Sequence, residues 1–120
     1  MIGCSCLAQS NIHFLDKSEG LSQGTVTSIV EDNFGYLWIG TLNGLNRYNG
    51  TEMRNFYHDE HDSVSIPKNN IKALCIDDQN NLWIGTYGKG LQRRDLNTGK
   101  VKNFIDDPAF PKIETIKIYT

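Results

Sequence analysis

Two features that define large protein classes are missing from this sequence. No apolar run approaches the roughly 20 residues that a membrane-spanning helix needs. Lys and Arg are scattered along the chain and the net charge is −2, so the basic surface that a nucleic-acid backbone requires is absent. We therefore expect neither a membrane span nor a nucleic-acid partner for this segment.

Cysteine is scarce as well, at three residues, and its spacing fits neither a disulfide framework nor a zinc site. Cys4 and Cys6 lie near the N-terminus, and Cys75 lies alone in an apolar run. Structural zinc sites need paired ligands at short, regular spacings. We expect Cys75 to be a small buried residue, and we predict no metal and no cofactor.

The first residues have the composition that ends an export signal. Residues 1–8 are small and apolar, and Cys6-Leu7-Ala8 before Gln9 fits the small-x-small pattern of a cleavage site. The charged start and most of the apolar run of such a signal are missing. We interpret residues 1–8 as the remnant of a signal peptide, with a lipid anchor on Cys4 or an ordinary terminus as the alternatives.

The sequence repeats itself, and this repeat decides the fold class. Leu37-Trp38-Ile39-Gly40-Thr41 recurs 45 residues later as Leu82-Trp83-Ile84-Gly85-Thr86. Matching residues continue on both sides of this motif, among them Asp32 and Asp77. A third copy of the pattern begins at Ile113. Repeats of this period indicate solenoids, propellers or other arrays.

Each copy is predicted to form four short strands separated by tight turns. The strand segments are rich in β-branched and aromatic residues, and Asp, Asn and Gly between them favour turns. The predicted strands are Thr25–Glu31, Tyr36–Thr41, Leu45–Tyr48 and Glu52–Tyr57 in the first copy, and Ile71–Ile76, Asn81–Thr86, Leu91–Arg94 and Lys100–Ile105 in the second.

Four antiparallel strands per repeat of this length are typical of a propeller blade, and the 3.6-residue apolar period of helical repeats is absent. The predicted fold is all-β: a β-propeller fragment with two four-stranded antiparallel blades plus the start of a third. The expected organisation is a signal-peptide remnant (1–8), an N-terminal segment with a candidate ring-closing outer strand (9–24), propeller blade 1 (25–58), an inter-blade loop (59–70), propeller blade 2 (71–106) and the first strand of blade 3 (113–120).

The residues that the two copies share are expected to build the repeat rather than to perform chemistry. Trp38 and Trp83 should fill the gap between neighbouring blades. Gly40 and Gly85 should let a backbone pass close by, as glycine inside a strand often does. The predicted structural signature comprises Asp32, Gly35, Trp38, Gly40, Thr41, Gly44, Leu45, Asp77, Trp83, Gly85, Thr86, Gly90 and Leu91.

The pattern Asp-x-x-Gly-x-Leu-Trp-Ile-Gly-Thr-x-x-Gly-Leu-x-Arg-Tyr, from Asp32 to Tyr48, resembles the two-component regulator propeller repeat. The resemblance covers residues 12–120, and the second copy departs from the pattern at Asn80 and Arg94. Such repeats form the N-terminal periplasmic part of hybrid two-component sensor histidine kinases, best known from Bacteroidetes.

The resemblance implies a sensor whose ligands are breakdown products of poly- or oligosaccharides and which signals to transcription by phosphorelay. The parent protein would be a homodimer anchored in the inner membrane, and the partners of this segment would be the remaining propeller blades and the oligosaccharide. The phosphorylated His, the ATP-binding glycines and the receiver Asp of these proteins have no counterpart here. We therefore expect no catalytic residue and no enzyme activity in this chain, and the ligand-binding residues stay unassigned.

Other residue clusters favour chemistry only weakly. The segment His58-Asp59-Glu60-His61-Asp62 contains metal-ligand types, but a loop gives them no fixed geometry. Residues 77–81 lack the Gly and Glu of a calcium loop, and no serine lies in a nucleophile elbow. The alternatives to the sensor are a protein-interaction propeller scaffold and a fragment of a propeller lyase or hydrolase, because propellers support many functions.

Overall fold

The computed structural model of the chain describes residues 20–88 and 90–104, and every regular element within them is a strand. The strands are β1 (Val26–Glu31), β2 (Leu37–Thr41), β3 (Gly44–Tyr48), β4 (Met53–Phe56), β5 (Ile71–Ile76), β6 (Asn81–Thr86), β7 (Gly90–Asp95) and β8 (Val101–Phe104). Among these residues there is no helix long and apolar enough to cross a membrane.

The eight strands form two sheets, each with its strands in sequence order: β1-β2-β3-β4, which we call blade 1, and β5-β6-β7-β8, which we call blade 2. All neighbouring strands are antiparallel. The predicted all-β architecture with two four-stranded antiparallel sheets is confirmed. The expected signal-peptide remnant (1–8), most of the N-terminal segment and the first strand of blade 3 (113–120) lie outside the described residues.

The turn between the first two strands of each blade needs a left-handed residue. Gly35 fills this position in blade 1 with a φ of 89°, and Asn80 fills it in blade 2 with a φ of 60°. Asn enters the left-handed region more readily than most side chains because it bonds locally to the backbone. The two turns therefore have the same shape despite the change of residue.

The larger hydrophobic cluster lies between the two blades. Blade 1 contributes Val30, Trp38 and Leu45, and blade 2 contributes side chains of β5 and β6. The strands β1 and β5 are in contact, and the Leu74 amide donates a hydrogen bond of 3.1 Å to the Ser28 hydroxyl across the junction. The first strands of neighbouring blades thus lie side by side, with one face of each sheet buried against the other.

The opposite face of blade 1 has a smaller cluster of its own. Leu21, from the segment before β1, packs there against Ile29 and Ile39. Ile66 holds the equivalent place on blade 2, where it is 1% exposed within the larger cluster. In each blade, one apolar residue of the segment before the first strand therefore packs against a face of the sheet.

Side-chain amides on the outer strands hold these entering segments in place. In blade 1 the amide of Asn55 donates to the Gly20 carbonyl, and Asn46 accepts a hydrogen bond from the Ser22 amide. In blade 2 the amide of Gln92 donates to the Ser65 carbonyl at 2.8 Å. We call residues 20–22 and 63–66 the entry straps, because each crosses β3 and β4 or β7 and β8 in the same way.

Two expectations about individual residues need correction. The close neighbour of Gly40 is a side chain rather than a backbone: a Cβ at this position would lie 2.5 Å from Cγ2 of Ile71 on the next blade. Cys75 is fully buried, as expected, but its sulfur is disulfide-bonded. The other two cysteines lie outside the described residues.

Candidate functional site

The signature aspartate of blade 1 fixes both the first turn and the tryptophan. Oδ1 of Asp32 accepts hydrogen bonds from the amides of Phe34 and Tyr36, while Oδ2 accepts one of 2.8 Å from the Trp38 indole. Asp32 and Trp38 are buried, at 5% and 3% exposed. A buried carboxylate is tolerated when donors surround it. This Asp–Trp pair therefore acts as a structural brace.

Blade 2 repeats the brace with one extra donor. Asp77 accepts hydrogen bonds from the Trp83 indole at 2.9 Å, from the amides of Gln79 and Asn81, and from the Asn81 side chain. Burial alone raises the pKa of the Asp77 carboxyl, but these hydrogen bonds outweigh it and hold the pKa below its ordinary value. Asp77 is thus ionised at neutral pH, and its oxygens accept hydrogen bonds from the turn and from the Trp83 indole.

The signature threonines close the second turn of each blade. The Thr41 hydroxyl donates to the Gly44 carbonyl at 3.0 Å, and the Thr86 hydroxyl contacts the Gly90 carbonyl at 3.4 Å. Gly44 and Gly90 both have positive φ, at 122° and 86°. The remaining signature residues lie on the strands: Leu45 is fully buried and Leu91 is 2% exposed, and Gly85 is paired with Leu91.

The loop with metal-ligand residue types uses those side chains to shape itself. Asp59 accepts a hydrogen bond from the His61 amide, and Asp62 accepts one from the Val64 amide. Nδ1 of His58 bonds the Ile66 carbonyl at 2.8 Å. Within the described part of the chain, no group of three or more His, Cys, Asp or Glu side chains is placed to hold a metal ion.

The second strap also contacts Arg94, the position at which the second copy departs from the repeat pattern. Arg94 is half-buried, and its guanidinium donates to the Val64 carbonyl at 2.6 Å. Burial lowers the pKa of Arg94, and the charge of Asp62 opposes that shift. Arg94 replaces Tyr48 of blade 1, so the departure from the repeat pattern coincides with a different strap contact.

Exposed large side chains gather at the end of the blades where β2 meets β3. Leu42 and Tyr87 occupy the same position in the two β-turns and are 41% and 51% exposed. Tyr57 follows β4 at this end, is 46% exposed, and its ring lies against Gly44. Nζ of Lys72 lies 6.0 Å from the centre of the Tyr87 ring. We call these three residues (Leu42, Tyr57 and Tyr87) the aromatic rim, after the two tyrosines.

Sequence reasoning did not single out the aromatic rim, although a signal was present. Tight turns normally carry small or polar residues, and Leu42 and Tyr87 depart from this rule at the first turn position of both repeats. Large apolar side chains held in solvent by a rigid turn are a common feature of binding surfaces. The rim is therefore the first candidate for ligand contact on this chain.

Comparison with known proteins agrees with the repeat found in the sequence. A family model described as the two component regulator propeller matches residues 20–43 and 65–88. Each match begins in or at the end of an entry strap and ends in the turn after β2 or β6.

Two longer proteins are similar to this chain. The chain is 39% identical over 64 residues to Histidine kinase P4 of Formosa agariphila, which is 50% of this chain and 5% of that protein. A solved extracellular domain, from B. thetaiotaomicron and assigned to a hybrid two-component system, superposes with a TM-score of 0.71 at 32% identity over 78% of this chain. The chain spans 13% of that solved domain. One segment in each blade therefore matches the two-component regulator propeller model, and the described fold resembles that of this extracellular domain.

Proposed function

We propose that this chain is part of the periplasmic ligand-sensing propeller of a hybrid two-component sensor histidine kinase. The observation that carries the proposal is the joint likeness in sequence and fold to an extracellular domain assigned to such a system. The curated histidine kinase supports the proposal as well, since 64 residues are 39% identical between the two chains. The role of these blades is to build the sensing surface rather than to catalyse a reaction.

The ligand class that we propose is an oligosaccharide released from a polysaccharide. The aromatic rim favours this class, because Tyr57 and Tyr87 present flat apolar faces beside polar groups such as Asn43. Tyrosine combines an apolar ring with a hydroxyl that seeks a hydrogen-bond partner, and this suits the mixed surface of a sugar ring. Specificity would come from loops of several blades that converge at the same end.

Binding would reach transcription through the rest of the parent protein. We propose that the parent is an inner-membrane homodimer and that ligand contact at the blades changes the balance between two arrangements of its subunits. A ligand shifts such a balance only by its difference in affinity for the two states. The blades therefore need a surface whose contacts change with the state, and the solvent-exposed rim is the surface that we propose for this role.

The experiment is a binding and signalling assay on the intact protein that contains this chain. Purified oligosaccharides are titrated by calorimetry, and autophosphorylation of the kinase is followed in parallel. We expect Tyr87→Ala to weaken binding by about tenfold and to shift the activating concentration by the same factor. Phe34→Ala is the matched control, since Phe34 is 60% exposed at the opposite end of blade 1.

Two outcomes contradict the proposal. Equal effects of Tyr87→Ala and Phe34→Ala show that the rim does not contact ligand. A parent gene without a kinase region removes the sensor assignment altogether, and sequencing on both sides of this segment establishes that directly.

A further inference from the structure

Each blade places two positive charges directly opposite one another on its outer strands. Arg47 of β3 pairs with Arg54 of β4, and Arg93 of β7 pairs with Lys102 of β8. Like charges at opposed positions of an antiparallel pair destabilise a sheet. The same unfavourable arrangement appears in both repeats, so it calls for a compensating interaction.

The aromatic neighbours supply part of that compensation. The Arg47 guanidinium lies 4.8 Å from the centre of the Tyr36 ring, and Arg54 lies 5.0 Å from that of Phe56. Lys102 lies 5.0 Å from the Phe104 ring centre. Stacking on a ring face orients a cation but leaves the N–H groups in the guanidinium plane free to bond elsewhere.

Those N–H groups have no acceptor within the part of the chain that the structure describes. Within residues 20–88 and 90–104, none of these four cations donates a side-chain hydrogen bond or forms an ion pair with a carboxylate. Hydrogen bonds from the Asn97 and Thr98 amides lower the pKa of Asp95, and the charge of Arg93 lowers it further. Each of the four cations therefore lies against an aromatic ring, and Arg54 and Lys102 are exposed to solvent.

A groove opens over each pair. In blade 1 its volume is about 500 Å³, and in blade 2 about 480 Å³, a size typical of ligand sites. The two cations are kept from blade to blade while the other lining positions change, as Tyr36 becomes Asn81 and Glu52 becomes Lys100. One acidic residue lies in each groove, Glu52 or Asp95, so both grooves remain net positive.

We propose that these grooves bind the sulfate or carboxylate substituents of an acidic saccharide, one group per blade. Two adjacent cations with free, oriented donors match an oxyanion, and the planar fork of Arg binds one in bidentate fashion. The saccharide class rests on the proposed sensing function, whereas the oxyanion chemistry rests on the grooves alone. Nucleic acid is disfavoured by the chain's net charge of −2.

The test compares a sulfated disaccharide with its unsulfated form on the intact protein, by calorimetry at low salt. We expect the sulfated form to bind more tightly and Arg54→Gln to weaken its binding by about tenfold. Arg54→Lys keeps the charge but lacks the planar fork, so it should weaken binding by less than Arg54→Gln does. Lys68→Gln is the control, because Lys68 is equally exposed, carries the same charge and lies outside the groove. Arg54 is exposed, so near-UV circular dichroism should remain unchanged in the variant.

Separate arms distinguish this inference from the proposed function. If inorganic sulfate shifts the Arg54 side-chain NMR signals but no saccharide binds to either blade, the oxyanion groove is supported and the saccharide-sensing function is contradicted. Equal affinity for the sulfated and unsulfated sugars in both wild type and Arg54→Gln keeps the sensor and overturns the groove. Preferential binding of single-stranded DNA of equal charge, abolished by Arg54→Gln, overturns the ligand class.

Discussion

Blades 1 and 2 share the strand order, the turns and the Asp–Trp brace, yet their faces are covered by very different numbers of apolar side chains. The cluster between the blades contains nine buried apolar side chains, whereas the cluster on the far face of blade 1 contains three. Both have an entry strap, but Leu21 serves the small cluster and Ile66 the large one. The repeated residues thus set the shape of each sheet, and the stability of the pair lies mainly in the junction between them.

This difference follows from the physics of stacked sheets. A single sheet with apolar faces cannot shield both faces from water, so each blade needs neighbours. Hydrogen bonds also link blade 1 to blade 2 and to the loop before it. The Asn33 amide donates to the Asn80 side chain at 2.9 Å, and the Gly44 amide donates to the Asn69 carbonyl at 2.6 Å. Changes at the junction should therefore affect both blades at once.

The largest expected effect comes from removing the tryptophan of that junction. Trp38→Ala should reduce the free energy of unfolding by about 3–5 kcal/mol, since it leaves a cavity in the inter-blade cluster and removes a donor from buried Asp32. Phe34→Ala, at a residue 60% exposed, should change it by less than about 0.5 kcal/mol. Urea titrations followed by circular dichroism measure both. Similar midpoints for the two variants would show that the junction is not the stabilising region.

A smaller effect is expected from adding one methyl group at the same junction. Gly40→Ala should cost about 1–3 kcal/mol by overpacking, because its Cβ would lie 2.5 Å from Cγ2 of Ile71. Ile71→Ala should offset part of this cost in a double-mutant cycle.

The matched control for this cycle is Gly24→Ala, where no atom lies within 4 Å of the added Cβ. That change should be neutral within about 1 kcal/mol. A coupling energy of zero between positions 40 and 71 contradicts the close approach of the two blades there.

These contacts also mark what could be predicted from the sequence and what could not. The eight strands follow from local composition and the 45-residue repeat, as does the left-handed Asn80, because these depend on neighbours in the chain. The group that packs against Gly40 could not be predicted from the sequence, because a glycine in a strand indicates a close approach but does not identify the neighbour. Its neighbour is Ile71, which is distant in sequence.

The entry straps were missed for a similar reason. Asn46 and Gln92 read as ordinary strand residues, yet both are fully buried and hold carbonyls or amides of a preceding segment. Such side-chain contacts between strand and strap leave no periodic trace. The family match beginning at residue 20 and at residue 65 includes part of each strap, so the repeating unit is longer than the four strands alone suggest.

An acid titration should reveal the contribution of the Asp77 carboxylate to the stability of blade 2. The Asp77 pKa is lower in the folded chain than its unfolded value of 3.8, so the stabilisation it provides is complete above that value. It is lost as the pH falls through the lower folded pKa. Asp77→Asn should cost about 1 kcal/mol at pH 7 and make unfolding less sensitive to acid below about pH 4.

Urea midpoints of wild type and variant at pH 7 and pH 3 provide this measurement. Asp95→Asn is the control within blade 2: hydrogen bonds from the Asn97 and Thr98 amides lower the pKa of this fully exposed carboxyl too. If Asp95→Asn removes as much of the acid sensitivity as Asp77→Asn, the brace is not its source.

The smallest effect is expected in the loop between the blades. His61→Ala should change the unfolding free energy by less than about 0.5 kcal/mol, since the His61 side chain is exposed and only its backbone amide is bonded, to Asp59. Ser65→Ala should cost more, about 1 kcal/mol, because its hydroxyl contacts the carbonyls of Asp59 and Asp62 and accepts the Asp59 amide. Trp83→Ala should lower the unfolding free energy several-fold more than either of these changes.

Thermal melts with and without Zn²⁺ test whether this loop binds metal. The loop side chains form no set of metal ligands, so Zn²⁺ should leave the melting temperature unchanged. A rise with Zn²⁺ that His61→Ala abolishes would mean that this loop binds metal and that its role has been misassigned.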